Sequence, residues 1–173
     1  MNPLILENGD VLRDATSDDL PVIVAIYNAS IPARLATADT VAVSVESRRE
    51  WFDSHEIDRR PLWVVERAGE VIAWLSLRSF YGRPAYHATV EVSLYLAPQC
   101  QGEGLGTRLL QALIERCPMM GIRNLVGFVF AHNAPSLRMN EKVGFERWGL
   151  LPAVAELDGV WRDLLIVGRK IDW

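Results

Sequence analysis

The stretch Gln101-Gly102-Glu103-Gly104-Leu105-Gly106-Thr107 lies between a run that alternates and a run that repeats every three to four residues. Upstream, Thr89 to Leu96 places Val90, Val92, Leu94 and Leu96 on one face and Thr89, Glu91, Ser93 and Tyr95 on the other, the period of a β-strand. Downstream, Leu105, Leu109, Leu110, Leu113 and Ile114 share one side of a helix, with Thr107, Arg108, Gln111 and Glu115 left for solvent. A glycine turn between a strand and a helix makes an anion site. Glycine accepts positive φ and lets the backbone approach a ligand closely, and the first helical turn points unpaired N–H groups outward. The stretch is read as a pyrophosphate cradle.

Of two familiar glycine loops, one is excluded and the other fits weakly. A nucleotide-triphosphate loop ends in Gly-Lys-Ser/Thr, whereas this one runs Gly106-Thr107-Arg108. A dinucleotide fingerprint needs glycine three residues after Gly104, where Thr107 stands, and the next strand-like run, Asn124 to Phe130, does not end in a ribose-binding acid. The spacing Gln101-x-x-Gly104-x-Gly106 remains, and by itself it also fits an ordinary glycine-rich turn. The flanking sequence has to decide.

A chain of 173 residues is long enough to bury a full core as one domain without disulfides or metal. Half the residues are apolar and 23% charged, with the prolines dispersed, which excludes a low-complexity or disordered tract. A net charge of -4 and the lack of any long basic run argue against nucleic acid or an anionic membrane as partner. Glu7 and Asp10 stand where a signal peptide needs basic residues, and no 18-residue apolar run follows, so a cytoplasmic protein is expected. Cys100 and Cys117 lack metal or disulfide spacing and are read as reduced thiols, with no metal site expected.

In chain order, Val11 to Asp14 predicts a strand and Thr16 to Asp19 the capped start of a helix carrying Leu20, Ile23, Val24 and Tyr27 on one face. Asn28 to Thr40 reads as a loop, either a connection or a wall over a substrate. Ser44 is expected to cap a second helix over 45–54, with Trp51 and Phe52 inward. Leu62 to Glu66 and Val71 to Leu77 predict a hairpin turning at Arg67-Ala68-Gly69-Glu70. Phe80 to Tyr86 breaks both periods and looks like a ligand lip. After the helix that follows the cradle, ended by Pro118 and Gly121, come a strand at Asn124 to Ala131 expected to be buried on both faces, and a helix capped by Asn133 and running to about Val143. Two last strands are expected near Trp148 to Val154 and Trp161 to Gly168. The predicted order is β-α-α-β-β-β-α-β-α-β-β, a mixed α/β domain with its core over about 11–171 of 1–173.

This order, the cradle, and Asn133-x-x-Ser136 leading to Glu141-Lys142-Val143-Gly144-Phe145 resemble the GNAT superfamily of N-acetyltransferases over nearly the whole chain from Leu12 onward. More narrowly, Ile26-Tyr27-Asn28, Ala36-Thr37 to Thr40, Gly82-Arg83-Pro84-Ala85-Tyr86, Thr89-Val90-Glu91 and Asp158-Gly159-x-Trp161-x-Asp163 resemble the phosphinothricin and methionine sulfone/sulfoximine acetyltransferase branch. The resemblance implies a mixed, mostly antiparallel sheet flanked by helices. It also implies transfer of an acetyl group from acetyl-coenzyme A to the α-amine of a small amino-acid-like substrate, by a homodimer. It implies cofactor contacts at Leu94, Tyr95 and Leu96, along the cradle Gln101 to Thr107, and at Asn133, and a substrate edge at Glu91, Val92 and Ser93 facing Tyr81, Gly82 and Arg83. Two positions depart from the pattern. Tyr81 stands where several relatives carry arginine, and Asn140 stands where many members place a tyrosine to protonate the leaving thiolate.

A thioester is already activated, so the chemistry asks for an unprotonated amine, a held geometry and support for an oxyanion. Glu91 is the candidate base, a lone acid on an otherwise apolar strand; the plain alternative is a solvent-facing polar position. Arg83 is either a bidentate partner for a substrate carboxylate or a surface arginine. Tyr95 could assist the thiolate or simply pack, His132 reads as a structural histidine and Cys100 as inert, and Arg138 and Lys142 either meet the cofactor's 3′-phosphate or are solvated. Beside the amino-acid acetyltransferase stand two alternatives: transfer to another small amine or a peptide N-terminus, and a non-catalytic sensor of acyl-coenzyme A.

Overall fold

The computed structural model describes residues 3–172. Alternation and turn chemistry account for its strands. A short β1 (Leu4–Ile5) pairs antiparallel with β2 (Val11–Asp14), and β2 pairs with β3 (Leu62–Arg67). At Ala68 and Gly69 the chain takes φ of 50° and 85°, the left-handed pair that a two-residue hairpin needs, and returns as β4 (Glu70–Ser79). β5 (Thr89–Leu96) lies antiparallel on β4, with β6 (Asn124–Phe130) parallel beside it. The terminal pair β7 (Glu146–Leu157) and β8 (Val160–Lys170) completes a sheet of order β1-β2-β3-β4-β5-β6-β8-β7, in which β5 and β6 form the one parallel pair among the described residues.

Helices cover both faces. α1 (Leu20–Ser30) and α2 (Arg49–Asp53) lie on one, where Ile23 and Ile26 pack with Leu62, Val64 and Trp74. α3 (Leu105–Arg116) and α4 (Ala134–Lys142) lie on the other, where Leu105, Leu109 and Leu113 are fully buried against Leu75, Leu77 and Val90. Each such leucine contributes roughly 1.5–3 kcal/mol by leaving water. The alternation of β5 therefore sends Val90, Val92, Leu94 and Leu96 toward α3, and Glu91, Ser93 and Tyr95 toward α1 and α2.

The mixed, mostly antiparallel α/β class holds, with corrections. The short β1 precedes the expected first strand; two residues are too few for a period to show. The second helix is not continuous over 45–54: a 3-10 turn at Glu46–Arg48 leads into only five α-helical residues. Ser44 Oγ does accept from Ser47 N at 3.1 Å, and Trp51 and Phe52 do pack inward. The expected loop from Asn28 begins later, since α1 runs on to Ser30 and a 3-10 turn at Ile31–Ala33 follows. β6 ends at Phe130, and Phe128 is exposed, so its burial on both faces is incomplete. β7 and β8 are both longer than read. The expectation for Met1 and Asn2, like the domain's last residue Trp173, lies outside the described residues.

Candidate active site

β5 and β6 are paired only at Thr89↔Asn124, Val90↔Leu125 and Glu91↔Val126. Beyond that point β5 continues on β4 as far as Leu96↔Ala73, and β6 continues on β8 as far as Phe130↔Leu164, so the two strands part like a fork with Glu91 at its root. Past the fork, alternate residues of β5 turn N–H and C=O groups into the gap, where an extended ligand can pair with them as an added strand would. The gap is a cleft of about 100 Å³ walled by Glu91 to Tyr95, by Gly127 to Phe130, by Leu110 of α3, and by Asn133, Ser136, Met139 and Asn140 at α4. Glu91 is half-buried, and its carboxylate makes no hydrogen bond or ion pair among the described residues.

The cradle stands just after the end of the unpaired stretch of β5. Gly102 and Gly104 take φ of 81° and 76°, where a side chain would be strained, and a Cβ on Gly102 would meet nothing within 4 Å, so the loop is open above. Gly104 is the residue before α3, whose first N–H groups leave the helix beside it. One acid in the loop is neutralised: Glu103 Oε2 lies 3.1 Å from Arg67 Nη1, and Arg67 also holds Asp10 at 2.8 and 2.9 Å. Arg108 Nη1 donates to the Glu103 carbonyl at 3.0 Å. An open, glycine-built loop at a helix start, with its carboxylate countered, suits a diphosphate.

A second cavity, of about 130 Å³, opens on the α1/α2 face and shares Ser93 and Tyr95 with the first. Tyr27, Trp51, Trp74 and Tyr95 form its aromatic wall, with Trp74 stacked on Tyr95 at 4.6 Å and edge-on to Trp51 at 5.5 Å. Trp74 Nε1 donates to the Ile23 carbonyl at 3.0 Å, which ties α1 to the sheet. Ile23, Val24, Ser76, Arg48 and Arg78 complete the lining.

The predicted residues divide. Glu91, Val92, Ser93, Leu94, Tyr95 and Asn133 converge on the cleft, and Gln101 to Thr107 form the loop after it; Leu96 lies beyond the lining on the same strand. Tyr81, Gly82 and Arg83 are exposed and line neither cavity. Asn133 caps α4, accepting from Ser136 N at 3.2 Å, and donates to the Leu35 carbonyl at 3.0 Å, pinning the loop after α1 over the cleft. Asn140 faces the cleft but its amide donates to the Ser136 carbonyl at 2.9 Å. Burial pushes the Tyr95 hydroxyl far above its ordinary range, and it donates to the Ala36 carbonyl at 3.1 Å. His132 donates Nε2–H to the Arg34 carbonyl at 2.8 Å and stacks on Phe130, a structural histidine. Cys100 and Cys117 are free thiols in the core, the latter pushed up to about 12 by burial, and Arg138 and Lys142 are exposed. No group of three or more metal-ligating side chains gathers among the described residues. The sequence reading missed the second cavity altogether, although Trp74, Ser76 and Arg78, alternating on one face of β4, were its visible signal.

A forked parallel pair ending in a glycine cradle at a helix start is built for an extended ligand that carries a diphosphate. A sequence model of the acetyltransferase (GNAT) family matches residues 24–145, and the chain belongs to that family. It is 50% identical over 92% of its length to YwnH of Bacillus subtilis (98% of that protein), which is provisionally named a phosphinothricin acetyltransferase. It is 35% identical over 93% of its length to the L-methionine sulfoximine/L-methionine sulfone acetyltransferase of Pseudomonas aeruginosa (94% of that protein). The crystal structure of a GNAT superfamily phosphinothricin acetyltransferase from Sinorhizobium meliloti in complex with acetyl-coenzyme A superposes with a TM-score of 0.86 at 30% identity, covering 99% of this chain and 89% of that one.

Proposed function

We propose that this enzyme moves the acetyl group of acetyl-coenzyme A directly to the amine of a small amino-acid-like acceptor of the phosphinothricin, methionine sulfone or methionine sulfoximine type, with Glu91 as the base. The observation that carries the reading is the place of Glu91: a carboxylate with no partner among the described residues, at the root of the fork and beside Ser93 and Tyr95, the two residues shared by both cavities. Acetyl-coenzyme A would lie along Leu94, Tyr95 and Leu96 with its diphosphate on Gln101 to Thr107 and its arm near Asn133. The acceptor would enter from the aromatic cavity, past the exposed lip of Tyr81, Gly82 and Arg83, to Glu91, Val92 and Ser93.

An α-amine is mostly protonated near neutral pH, so a carboxylate acting directly or through one water removes a proton before attack. The amine nitrogen then bonds to the thioester carbonyl carbon, the oxygen takes up negative charge against backbone N–H groups of β5, and the C–S bond breaks as the carbonyl re-forms. The attacking nitrogen, cationic in the tetrahedral intermediate, gives up its second proton to solvent, and the departing thiolate takes a proton. Asn140 cannot supply it, being an amide engaged with Ser136, and the raised, engaged hydroxyl of Tyr95 is a poor donor. Protonation by solvent is the route this site leaves open.

Acetyl-coenzyme A is a cytoplasmic metabolite, which supports a cytoplasmic location. A homodimer is supported by β7, the last strand of the sheet, whose Trp148, Leu150, Leu151 and Val154 are exposed beside Val160 and Trp161 of β8.

The test is thiol release from acetyl-coenzyme A across phosphinothricin, methionine sulfone, methionine sulfoximine, ordinary amino acids and a polyamine, for the wild type and Glu91→Gln. Turnover of the analogues, with kcat/KM falling about 10²–10⁴-fold on substitution, is expected. Turnover of the polyamine alone would replace the acceptor class. No turnover with acetyl-coenzyme A still bound would favour a sensor.

A further inference from the structure

Arg78 on β4 is the register partner of Glu91 on β5, so the two side chains leave the same face of the sheet from adjacent strands. Directly opposed residues of an antiparallel pair have Cβ atoms about 5 Å apart, within easy reach for an arginine and a glutamate to bond. The side chains do not bond, and among the described residues the Arg78 guanidinium makes no hydrogen bond or ion pair. The other cation of the aromatic cavity is already engaged. Arg48 Nη2 lies 3.0 Å from Asp39, and its guanidinium sits 4.6 Å from the centre of the Tyr27 ring and 5.8 Å from that of Trp51.

We propose that Arg78 holds the carboxylate of the acceptor while Glu91 faces its amine, so that the site selects a free α-amino-acid zwitterion and seats its side chain against Tyr27, Trp51 and Trp74. This rests on the reading of the chain as an amino-acid-directed acetyltransferase and names the residue that gives it that direction. In an α-amino acid the amine and the carboxylate hang from one carbon, so two opposite charges side by side on neighbouring strands match them. The planar guanidinium takes a carboxylate bidentately. The aromatic wall supplies apolar contact for a short side chain in a cavity of about 130 Å³. A plain amine, or a peptide N-terminus whose carboxyl is an amide, leaves the guanidinium unpaired. Arg78 and Arg83 are both exposed, but Arg78 lines the aromatic cavity and Arg83 lines neither.

The experiment compares phosphinothricin with its carboxyl methyl ester as acceptors for the wild type, Arg78→Met, Arg78→Lys and Arg83→Met, with thermal melting and acetyl-coenzyme A titration as folding controls. The wild type is expected to prefer the free acid by about 10- to 100-fold in kcat/KM, the worth of a charged hydrogen-bonded pair. Arg78→Met should raise the acceptor KM by a similar factor, leave the KM for acetyl-coenzyme A in place and abolish the preference, and Arg78→Lys should restore part of it. A preference that survives Arg78→Met, or that disappears with Arg83→Met instead, overturns the assignment while leaving the acetyltransferase reading intact. A wild type that acetylates neither acceptor, nor any amino acid, overturns both.

Discussion

Replacing Trp74 by phenylalanine separates the two cavities. Trp74 is buried on β4, donates its indole N–H to the Ile23 carbonyl at 3.0 Å, and lines the aromatic cavity but not the cleft between β5 and β6. Losing the donor costs about 1 kcal/mol, because the carbonyl of a helical residue keeps its own i+4 partner and is not orphaned. The smaller ring leaves a void of roughly 40 Å³, which at ~24 cal/mol per Å³ adds about 1 kcal/mol. Stacking on Tyr95 is weakened but not lost, so the sum is about 2–3 kcal/mol. For a domain of this size that lowers Tm by about 4–12 °C. Urea unfolding and thermal melts give the stability change, and steady-state kinetics the functional one: a higher KM for the acceptor with the KM for acetyl-coenzyme A unchanged. A Tm within 2 °C of wild type, or a KM that rises for acetyl-coenzyme A and not for the acceptor, would refute the division of labour drawn here.

Two further outcomes are expected. Burial works to raise the Asp19 carboxyl, but hydrogen bonds from Arg13 and from the backbone and hydroxyl of Thr16 outweigh it and hold it below the ordinary carboxylate range. Its contribution is therefore complete above its unfolded pKa of about 4 and is lost as pH falls through the lower folded value. Asp19→Asn should cost about 2–3 kcal/mol at pH 7 by urea titration, and the gap should narrow below about pH 4; a gap independent of pH would contradict it. For assembly, Leu150→Glu with Trp161→Glu, at exposed positions on β7 and β8, should shift the wild-type sedimentation coefficient from a dimer to a 19.4 kDa monomer. A wild type that already sediments as the monomer removes the homodimer.

The boundaries of β2 and β5, the start of α3 and the Asn133 cap of α4 were legible because each rests on a local rule: a two-residue period, a glycine at positive φ, a side chain bonding three residues on. So were the cradle and the one acid on β5. The terminal strands were seen but not their order, because nothing local says that β8, not β7, pairs with β6. The short α2 was overestimated, since a cap and an inward Trp-Phe pair do not reveal that the turn before it is 3-10.

What this sequence by itself determined is the motif proposed to hold the donor: a strand, a glycine loop and a helix start, consecutive in the chain and so readable as one unit. What only the tertiary structure decided is the neighbourhood proposed to receive the acceptor. Glu91 and Arg78 are thirteen positions apart, and become neighbours through the register of β4 on β5; the aromatic wall draws Tyr27, Trp51, Trp74 and Tyr95 from four elements. Glu91 sits at the root of a fork because the β5–β6 pairing stops after three residues. Pairing and packing across the sheet are long-range facts, paid for in loop closure and core burial, and no period along the chain encodes them.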